Sequence, residues 1–146
     1  MLLHEFIHIL ISSLVAVLIF LKFKDIRLVV AVFVVGLFID VDHLFDYFYW
    51  ARWHFSPSEF FNPSLYVNAS GKVFVPLHGW EFLLPLWLGG KLIERRLNIK
   101  GLSWALSFSY FGHLLWDNLS VAPMSFGYFF IYRWLNNFSL VKFNGF

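Results

Sequence analysis

The sequence contains no cysteine and has few charged residues for its length. Without cysteine the chain has no disulfide framework, no cysteine-ligated zinc and no thiol nucleophile. Charged residues make up 14% of the 146 residues and the formal net charge is only +2, so nucleic acid is not expected as a partner. The N-terminus lacks the positive region and the small-residue cleavage site of a signal peptide, so we expect its apolar stretch to be retained.

Apolar side chains are abundant instead. Hydrophobic residues make up 60% of the chain, which includes 20 Phe and 7 Trp. A soluble domain of this size cannot bury so much apolar surface, so the composition predicts one all-α integral membrane domain over residues 1–146. The apolar runs predict a bundle of four transmembrane helices, at about residues 6–23, 26–46, 77–97 and 102–119.

Small residues and a proline mark places where these predicted helices pack or bend. Gly89 and Gly90 in the third helix are expected to let a neighbouring helix approach closely, and Pro85 is expected to kink the third helix. The fourth helix carries a series of small residues that favour the same close packing: Ser103, Ala105, Ser107, Ser109 and Gly112.

Two stretches do not fit a transmembrane helix. Residues 51–75 are expected to form an aromatic connector outside the membrane. Its turn-forming residues are expected to break regular structure: Pro57, Asn62, Pro63, Asn68, Ser70 and Gly71. Residues 123–146 are aromatic and amphipathic around Arg133, which predicts an interfacial C-terminal segment rather than a fifth span.

The distribution of Lys and Arg predicts the orientation of the helices. The loops after the first and third helices hold seven of these residues: Lys22, Lys24, Arg27, Lys91, Arg95, Arg96 and Lys100. The opposite side holds four: Arg52, Lys72, Arg133 and Lys142. The positive-inside rule therefore predicts a multi-pass protein of the cell membrane, with its N-terminus and its aromatic connector outside.

Histidine and acidic residues cluster at one end of each predicted helix. The four clusters are His4, Glu5 and His8; Asp40, Asp42, His43 and Asp46; His78 and Glu81; and His113 and Asp117. Each lies roughly 13–17 residues from a basic loop, or about 20–25 Å along a helix, so all four are expected at the outer membrane face. Five of the 6 histidines fall in these clusters, with His54 in the connector as the exception. Because ionisable groups at such depth are costly, and unrelated ones would scatter over both faces, we expect a shared metal site.

The individual clusters have the chemistry of metal ligands. Asp40, Asp42 and His43 supply oxygen and nitrogen ligands that suit Zn, Mn or Fe, although a polar cap that ends the second helix has the same composition. His113 and Asp117 are four residues apart on one helical face. The two can chelate a metal together, Asp117 can orient His113, or they can form a polar pair between helices.

Glu81 and the N-terminal histidines leave more than one role open. His78 and Glu81 are three residues apart, so Glu81 can be a ligand, a general base, or an acid favoured by a helix N-terminus. His4, Glu5 and His8 match the H-E-x-x-H zinc pattern in letters. Little chain precedes them to hold a complete site, so we expect a single ligand from this helix, His8 rather than His4.

Together the candidate ligands exceed what one zinc ion needs. They are His8, Asp40, Asp42, His43, His78, Glu81, His113 and Asp117. Zinc binds four ligands, so two ions bridged by a carboxylate are compatible with the set. The prediction is therefore one or two divalent ions, with zinc favoured over Mn or Fe, and with Glu81 or Asp117 as the group that takes a proton from water.

The order of the motifs carries a family resemblance. The segments concerned are His8-Ile9-Leu10, Ile39-Asp40-Val41-Asp42-His43, Leu77-His78-Gly79-Trp80-Glu81-Phe82 and Phe111-Gly112-His113-Leu114-Leu115-Trp116-Asp117. Over about residues 5–120 the chain resembles the membrane-bound metal-dependent hydrolases of bacteria and archaea, and the short archaeal-type members in particular. Ile39 stands where many members have Pro, and Glu81 stands in a third motif that is shorter than usual. The resemblance implies a membrane-embedded, metal-dependent hydrolase.

Metal-assisted hydrolysis is favoured over three other functions. The depth of the clusters and the aromatic connector favour a lipid or lipid-linked phosphoester as substrate, with an ester or amide as alternatives. A metal transporter would place polar groups through the whole depth of the bundle, whereas residues 15–21 and 28–35 are apolar. Haem binding by paired histidines, and a structural membrane protein with capped helix ends, are the remaining alternatives.

Overall fold

The computed structural model describes residues 2–123 and 125–145, and the side chains of these residues other than Leu2 and Leu3. The helices are α1 (Leu2–Phe23), α2 (Ile26–Phe38), α3 (His43–Ala51), α4 (Pro57–Phe60), α5 (Pro63–Ser70), α6 (Leu83–Leu97), α7 (Leu102–Ser120), α8 (Phe130–Leu135) and α9 (Leu140–Phe143). Short 3-10 turns lie at Ile39–Asp42, Trp80–Phe82 and Phe126–Tyr128. No strand forms in the described ranges, so the all-α prediction is confirmed.

The chain divides into two compact units, which are described separately. The first, called here the helical unit, comprises residues 2–39 and 80–116. The second, called here the loop unit, comprises residues 40–79 and the C-terminal part from residue 117. The helical unit contains α1, α2, α6 and most of α7, whereas the loop unit contains the short helices and the turns between them.

Close packing in the helical unit depends on small residues, as predicted for α6 and α7. A Cβ atom on Gly90 would lie 2.8 Å from the Cα of Ser103, so a side chain there would force α6 and α7 apart. A Cβ atom on Gly89 would meet nothing within 4 Å. Ser109 donates its hydroxyl hydrogen to the carbonyl of Val32 at 2.6 Å, which links α7 to α2. The prediction of close approach is confirmed for Gly90 but not for Gly89.

Among the residues that the structure describes, two segments are long and apolar enough to cross a membrane, His4–Phe23 and Ile26–Ala51. In the 18-residue apolar window of each segment, only 22% and 28% of the residues are buried inside the protein, whereas the core helix of a soluble domain would be mostly buried. Two such helices are a weak indication of a membrane protein, because a signal sequence near the N-terminus has the same properties. The helix α6 has 15 residues, fewer than the about 20 that a bilayer requires. The third and fourth spans therefore stay predictions.

The predicted second helix is interrupted where its acidic cluster begins. α2 ends at Phe38, the 3-10 turn Ile39–Asp42 follows, and α3 starts at His43. Tightening to 3-10 geometry over these four residues changes the direction in which successive side chains point. The span predicted at about 26–46 thus lies within the apolar segment Ile26–Ala51, but a 3-10 turn interrupts its α-helix at the residues with metal-binding chemistry.

The predicted third helix starts later than expected. α6 begins at Leu83 rather than near residue 77, and the 3-10 turn Trp80–Phe82 precedes it. His78 consequently lies in a turn and not on a helix face. Pro85 is the third residue of α6, in the first helical turn, where its missing N–H removes no intrahelical hydrogen bond, so the predicted cause of a kink does not apply there.

The connector is more regular than predicted. Pro57 and Pro63 stand at the first positions of α4 and α5, where proline favours a helix start because its φ angle is already helical. The prediction that these residues break regular structure was therefore wrong. Tyr66 of α5 packs edge-on against Tyr47 of α3, with ring centroids 5.6 Å apart, and both side chains are fully buried.

The C-terminal segment also differs from its prediction. Arg133, expected as an interfacial charge, is only 2% exposed. α8 and α9 are short, and the hydroxyl of Ser125 donates to the carbonyl of Phe143, which ties the start of this segment to its end. Because the arginine of α8 is buried, the C-terminal segment packs within the loop unit by means of a charged side chain that points inward.

Candidate metal centre

Three pieces of chain bring carboxylates and histidines together in the loop unit. The 3-10 turn and the start of α3 carry Asp40, Asp42 and His43. A turn before α6 carries His78, and the last part of α7 carries Asp117. These five residues are called here the carboxylate–histidine centre. Asp42, His78 and Asp117 are buried, and about a quarter of the side chains of Asp40 (25%) and His43 (29%) is exposed.

His78 lies between three carboxylates. Its Nδ1 is 3.0 Å from Asp42 Oδ2. On the other side of the ring, Nε2 is 3.3 Å from Asp40 Oδ1 and 3.3 Å from Asp117 Oδ2. Since an ionised carboxylate can only accept, Asp42 takes the Nδ1 hydrogen, and the lone pair of a neutral His78 then faces two further carboxylate oxygens. A cation or a proton between Nε2 and these two carboxylates is needed to offset the repulsion between the lone pair and the negative oxygens.

The spacing of these atoms fits a divalent metal ion. The ligand atoms of Asp40, His78 and Asp117 all lie within 4.8 Å of one another. Two ligands at about 2.0–2.2 Å from a zinc ion are roughly 3.0–3.5 Å apart, which agrees with the 3.3 Å separations around His78. A histidine ligand whose second nitrogen donates to a carboxylate is the usual arrangement in zinc sites, and Asp42 provides that carboxylate.

A second group of ligand atoms adjoins the first through His78. The ligand atoms of Asp42, His43 and His78 also lie within 4.8 Å of one another. Within the described part of the chain, no hydrogen-bond partner reaches Asp42 Oδ1 or His43 Nδ1, although both atoms are buried. Such atoms cost about 1–3 kcal/mol each when they stay unsatisfied, so a cation near them would stabilise the fold. Asp40 Oδ1 lies 3.9 Å from His43 Nε2 and is placed to bridge the two groups.

The segment that carries His78 is held by carboxylates through its backbone. Asp46 accepts from the N–H of Phe74 at 2.6 Å and from the N–H of Val75 at 2.9 Å. Asp42 accepts from the N–H of Leu77 at 2.6 Å. Asp46 therefore anchors the backbone, whereas Asp42 both anchors it and orients the imidazole of His78.

Backbone strain is stored next to His78. Val75 has a φ of 29°, a value that β-branched residues rarely adopt. Strain of this kind costs on the order of 1–3 kcal/mol and persists only where surrounding contacts hold it. Val75 is 4% exposed and makes hydrogen bonds with both its N–H and its carbonyl, so it is held from two sides.

Tyr66 adds a buried phenol to the surroundings of the carboxylates. Its hydroxyl is buried with no hydrogen-bond partner among the described residues. Burial, and then the negative charge of Asp46 and Asp42, raise the pKa of Tyr66 above its ordinary value. The phenol therefore keeps its proton at physiological pH, so it can donate a hydrogen bond but cannot act as a base.

Three of the other predicted histidines form a contiguous group in the helical unit, in which His8 and His113 stack and His4 meets His8 edge-on. The rings of His8 and His113 are parallel to within 15°, with centroids 3.9 Å apart, and both residues are buried. His113 Nδ1 donates to the carbonyl of Gly36 at 3.0 Å, which ties α7 to the end of α2. Trp116 donates to His4 Nδ1 at 3.1 Å, so a neutral His4 donates from Nε2 to His8 Nε2 at 3.0 Å.

Several predicted roles are not decided by these contacts. Glu81 is half-buried in the 3-10 turn Trp80–Phe82 of the helical unit, and its role as ligand or base stays a prediction. His113 and Asp117 are four residues apart on α7, as expected, but joint binding of one metal also stays a prediction. The same holds for a single site shared by all four sequence clusters, and for the choice between His4 and His8 as ligand.

Sequence reasoning missed Arg133 as part of this region. Its Nη1 donates to the carbonyl of His78 at 2.8 Å, and its Nη2 donates to the carbonyl of Val75 at 2.9 Å. A signal was present, because Arg133 is the only charged residue in the stretch 125–141. A lone arginine among aromatic residues is costly to bury unless it is well bonded, and this favours a structural or functional role.

An apolar cleft of about 270 Å³ opens in the loop unit. It is lined by Phe45, Tyr49, Phe74, Pro76, Phe130 and Phe138. Phe74 and Pro76 belong to the segment that carries His78, and Phe45 follows the α3 start at His43 by two residues. The cleft and the carboxylate–histidine centre therefore draw on the same two segments of the chain.

No protein-family model, curated protein or solved structure matches this chain. The resemblance to the membrane-bound metal-dependent hydrolases is therefore carried by the motif residues alone.

Proposed function

We propose that the protein is a metal-dependent membrane hydrolase whose metal is held by the carboxylate–histidine centre. The observation that carries this proposal is the position of His78, with Nε2 3.3 Å from an oxygen of Asp40 and 3.3 Å from an oxygen of Asp117, and with Nδ1 oriented by Asp42. This is the donor set and spacing that zinc, manganese or iron binds. The family resemblance supports hydrolysis as the reaction.

The protein residues have separate tasks in this proposal. Asp40, His78 and Asp117 hold the ion, and His43 adds a ligand for the same ion or for a second one. A divalent ion bound there supplies Lewis-acid polarisation of the scissile group and activates water. Asp42 fixes the tautomer of His78, and Asp117 accepts the proton that water loses.

A lipid or lipid-linked ester or phosphoester is the substrate class that we propose. The apolar cleft of the loop unit is lined entirely by apolar or aromatic residues, which suits the hydrocarbon chain of an amphiphile. Because cleft residues Phe74 and Pro76 flank Val75 in the segment that leads to His78, a chain in the cleft places its head group near the metal. The two apolar helices and the Lys and Arg distribution support an outer-face location in the cell membrane.

Metal content is the first test. Protein purified gently in detergent is expected to contain one or two transition-metal ions per chain by elemental analysis, with zinc favoured. The His78→Ala variant should lose most of this metal, since it removes the residue that connects both groups of ligands. The His54→Ala variant is the matched control, because His54 is exposed in the connector and lies outside the centre.

The result that would overturn the proposal is equally direct. Wild-type protein without stoichiometric metal, both as purified and after incubation with Zn²⁺, would exclude a metal-dependent reaction. Metal that is retained by His78→Ala and lost by His54→Ala would place the site elsewhere. Hydrolysis of a panel of lipid esters and phosphoesters by the metal-loaded protein, and its loss on chelation, then tests the reaction itself.

A further inference from the structure

Arg133 is a buried cation in the C-terminal part of the loop unit. It is 2% exposed, although its neighbours Trp134 and Leu135 are 64% and 75% exposed. A guanidinium group stays charged at every physiological pH, so its burial requires acceptors with suitable geometry. The side chain is therefore placed by the groups that it binds.

Those acceptors are backbone carbonyls at both ends of one turn. The turn is closed by the hydrogen bond from His78 N–H to the Val75 carbonyl at 2.9 Å. Arg133 donates to that Val75 carbonyl from Nη2 and to the His78 carbonyl from Nη1. Nη1 also donates to the carbonyl of Gly127, which connects the turn to the C-terminal segment. The planar, forked guanidinium thus binds two points of the turn at once.

Carboxylates bind the same turn through its amide groups. Asp46 accepts from Val75 N–H and Asp42 accepts from Leu77 N–H. The carbonyls of the turn thus accept from the Arg133 cation, and its amides donate to carboxylate anions. Hydrogen bonds in which one partner is charged are the strong ones, so both sets of bonds stabilise the turn. Because Val75 has a φ of 29°, the turn is strained and is not expected to persist without these bonds.

We propose that Arg133 is a positioning residue for the metal centre. From the C-terminal segment it fixes the turn of residues 75–78, and it thereby aims His78 at Asp40 and Asp117. The inference rests on the proposed function, because it concerns a ligand of that centre. A displacement of the turn by about 1 Å would spoil the spacing that a metal ion requires. The C-terminal segment is thus needed for metal binding although it contributes no candidate ligand.

The test compares two variants of Arg133 with a matched control in full-length protein. Zn²⁺ affinity is measured by competition with a chelator. Arg133→Met should lower the affinity about 10- to 100-fold, the effect typical of residues that orient metal ligands. Arg133→Lys keeps the positive charge but not the forked guanidinium, so its loss of Zn²⁺ affinity should be smaller than that of Arg133→Met. Lys142→Met removes an exposed cation of the same segment and should leave the affinity unchanged.

Hydrogen–deuterium exchange provides a second readout that does not need metal. In Arg133→Met the amides of Leu77 and His78 should exchange faster than in wild-type protein, whereas amides in α1 should be unaffected. A folded Arg133→Met protein with wild-type Zn²⁺ affinity and wild-type protection of this turn would overturn the inference. Should Arg133→Met fail to fold, the same two measurements on Arg133→Lys decide, and wild-type values there overturn it.

The two readouts separate this inference from the proposed function. If wild-type protein binds no Zn²⁺, the proposed metal centre fails. Exchange in the turn then still reports whether Arg133 holds His78 in place. If wild-type protein binds Zn²⁺ and Arg133→Met binds it equally well, the metal centre stands and the positioning role fails.

Discussion

The imidazole of His78 has a carboxylate at each of its two nitrogens. With a metal ion bound, Asp42 at Nδ1 would set the tautomer, so that the ring presents a lone pair at Nε2 toward the ion held by Asp40 and Asp117. Asp42 also accepts the N–H of Leu77, so one side chain holds the backbone just before His78 as well as the ring of His78. Metal affinity should therefore depend on Asp42 even if its second oxygen, Oδ1, does not bind the metal.

The Asp42→Asn variant tests this dependence. An asparagine oxygen can still accept from Leu77, but the loss of the negative charge weakens the hold on the His78 ring. We expect the Zn²⁺ affinity to fall about 10- to 100-fold, measured by chelator competition. Asp25→Asn is the control, because Asp25 caps α2 and pairs with Arg27 away from His78. Equal Zn²⁺ affinities for the two variants would contradict the orienting role of Asp42.

At the scale of helices, adjacent glycines on α6 have different surroundings. Gly90 packs against the backbone of Ser103 on α7, and Gly89 faces open space. Both occupy the interior of a helix, where glycine is less favourable than alanine by about 0.5–1 kcal/mol. The same substitution should therefore have opposite effects on stability at the two positions.

Gly90→Ala should lower the free energy of unfolding by about 1–3 kcal/mol, because the added methyl group overpacks the contact with Ser103. Gly89→Ala should raise the free energy of unfolding by about 0.5–1 kcal/mol through helix propensity. Denaturation of both variants in the same detergent measures the difference. If the two alanines have the same effect, α6 and α7 do not pack as described.

The cleft of the loop unit leads to a prediction about substrate length. Phe45 of α3 lines the cleft and is 64% exposed, so truncating it should not unfold the protein. With matched phosphoesters that carry a long or a short alkyl chain, Phe45→Ala should raise KM for the long-chain substrate much more than for the short one. Phe126→Ala removes an equally exposed phenylalanine, 69% accessible and outside the cleft, and should change neither value. Equal KM changes for both substrates would show that the chain binds elsewhere.

At the scale of the whole molecule, the predicted location and orientation in a membrane can be tested by labelling. The absence of cysteine from the sequence means that a single introduced thiol reports one location. Ser64 on α5 and Lys100 in the loop before α7 are both exposed. The positive-inside rule predicts that they lie on opposite sides of the membrane.

In intact cells, an impermeant maleimide should label Ser64→Cys and should label Lys100→Cys only after the membrane is permeabilised. Both variants should react equally in detergent, which controls for local reactivity. The reverse pattern would mean that the predicted orientation is wrong. Labelling of both positions in intact cells would contradict the odd number of spans predicted between them.

Helix boundaries show where prediction from the sequence was limited. Apolar runs located α1, α7 and the start of α2 well, because a long helical run needs little beyond its own composition. The start of α6 and the 3-10 turn at Ile39–Asp42 were not foreseen. The 3-10 turn and the segment before α6 are joined by hydrogen bonds between residues distant in sequence, such as the bond from Leu77 N–H to Asp42. Helices α4 and α5 were not predicted, because Pro57 and Pro63 were interpreted as residues that break helices, whereas proline also favours the first position of a helix.

Residue types alone were enough to identify an apolar helical chain and the histidine and acidic residues with ligand chemistry, since both follow from composition and spacing. Folding was needed to place His78 between Asp40, Asp42 and Asp117, to make Asp46 a backbone anchor, and to bury Arg133 against the turn of residues 75–78. These relations join segments tens of residues apart, and only packing of the chain brings them within hydrogen-bonding distance. The distinction is physical: periodicity reports which side chains share a face, whereas ligand geometry depends on where separate turns meet.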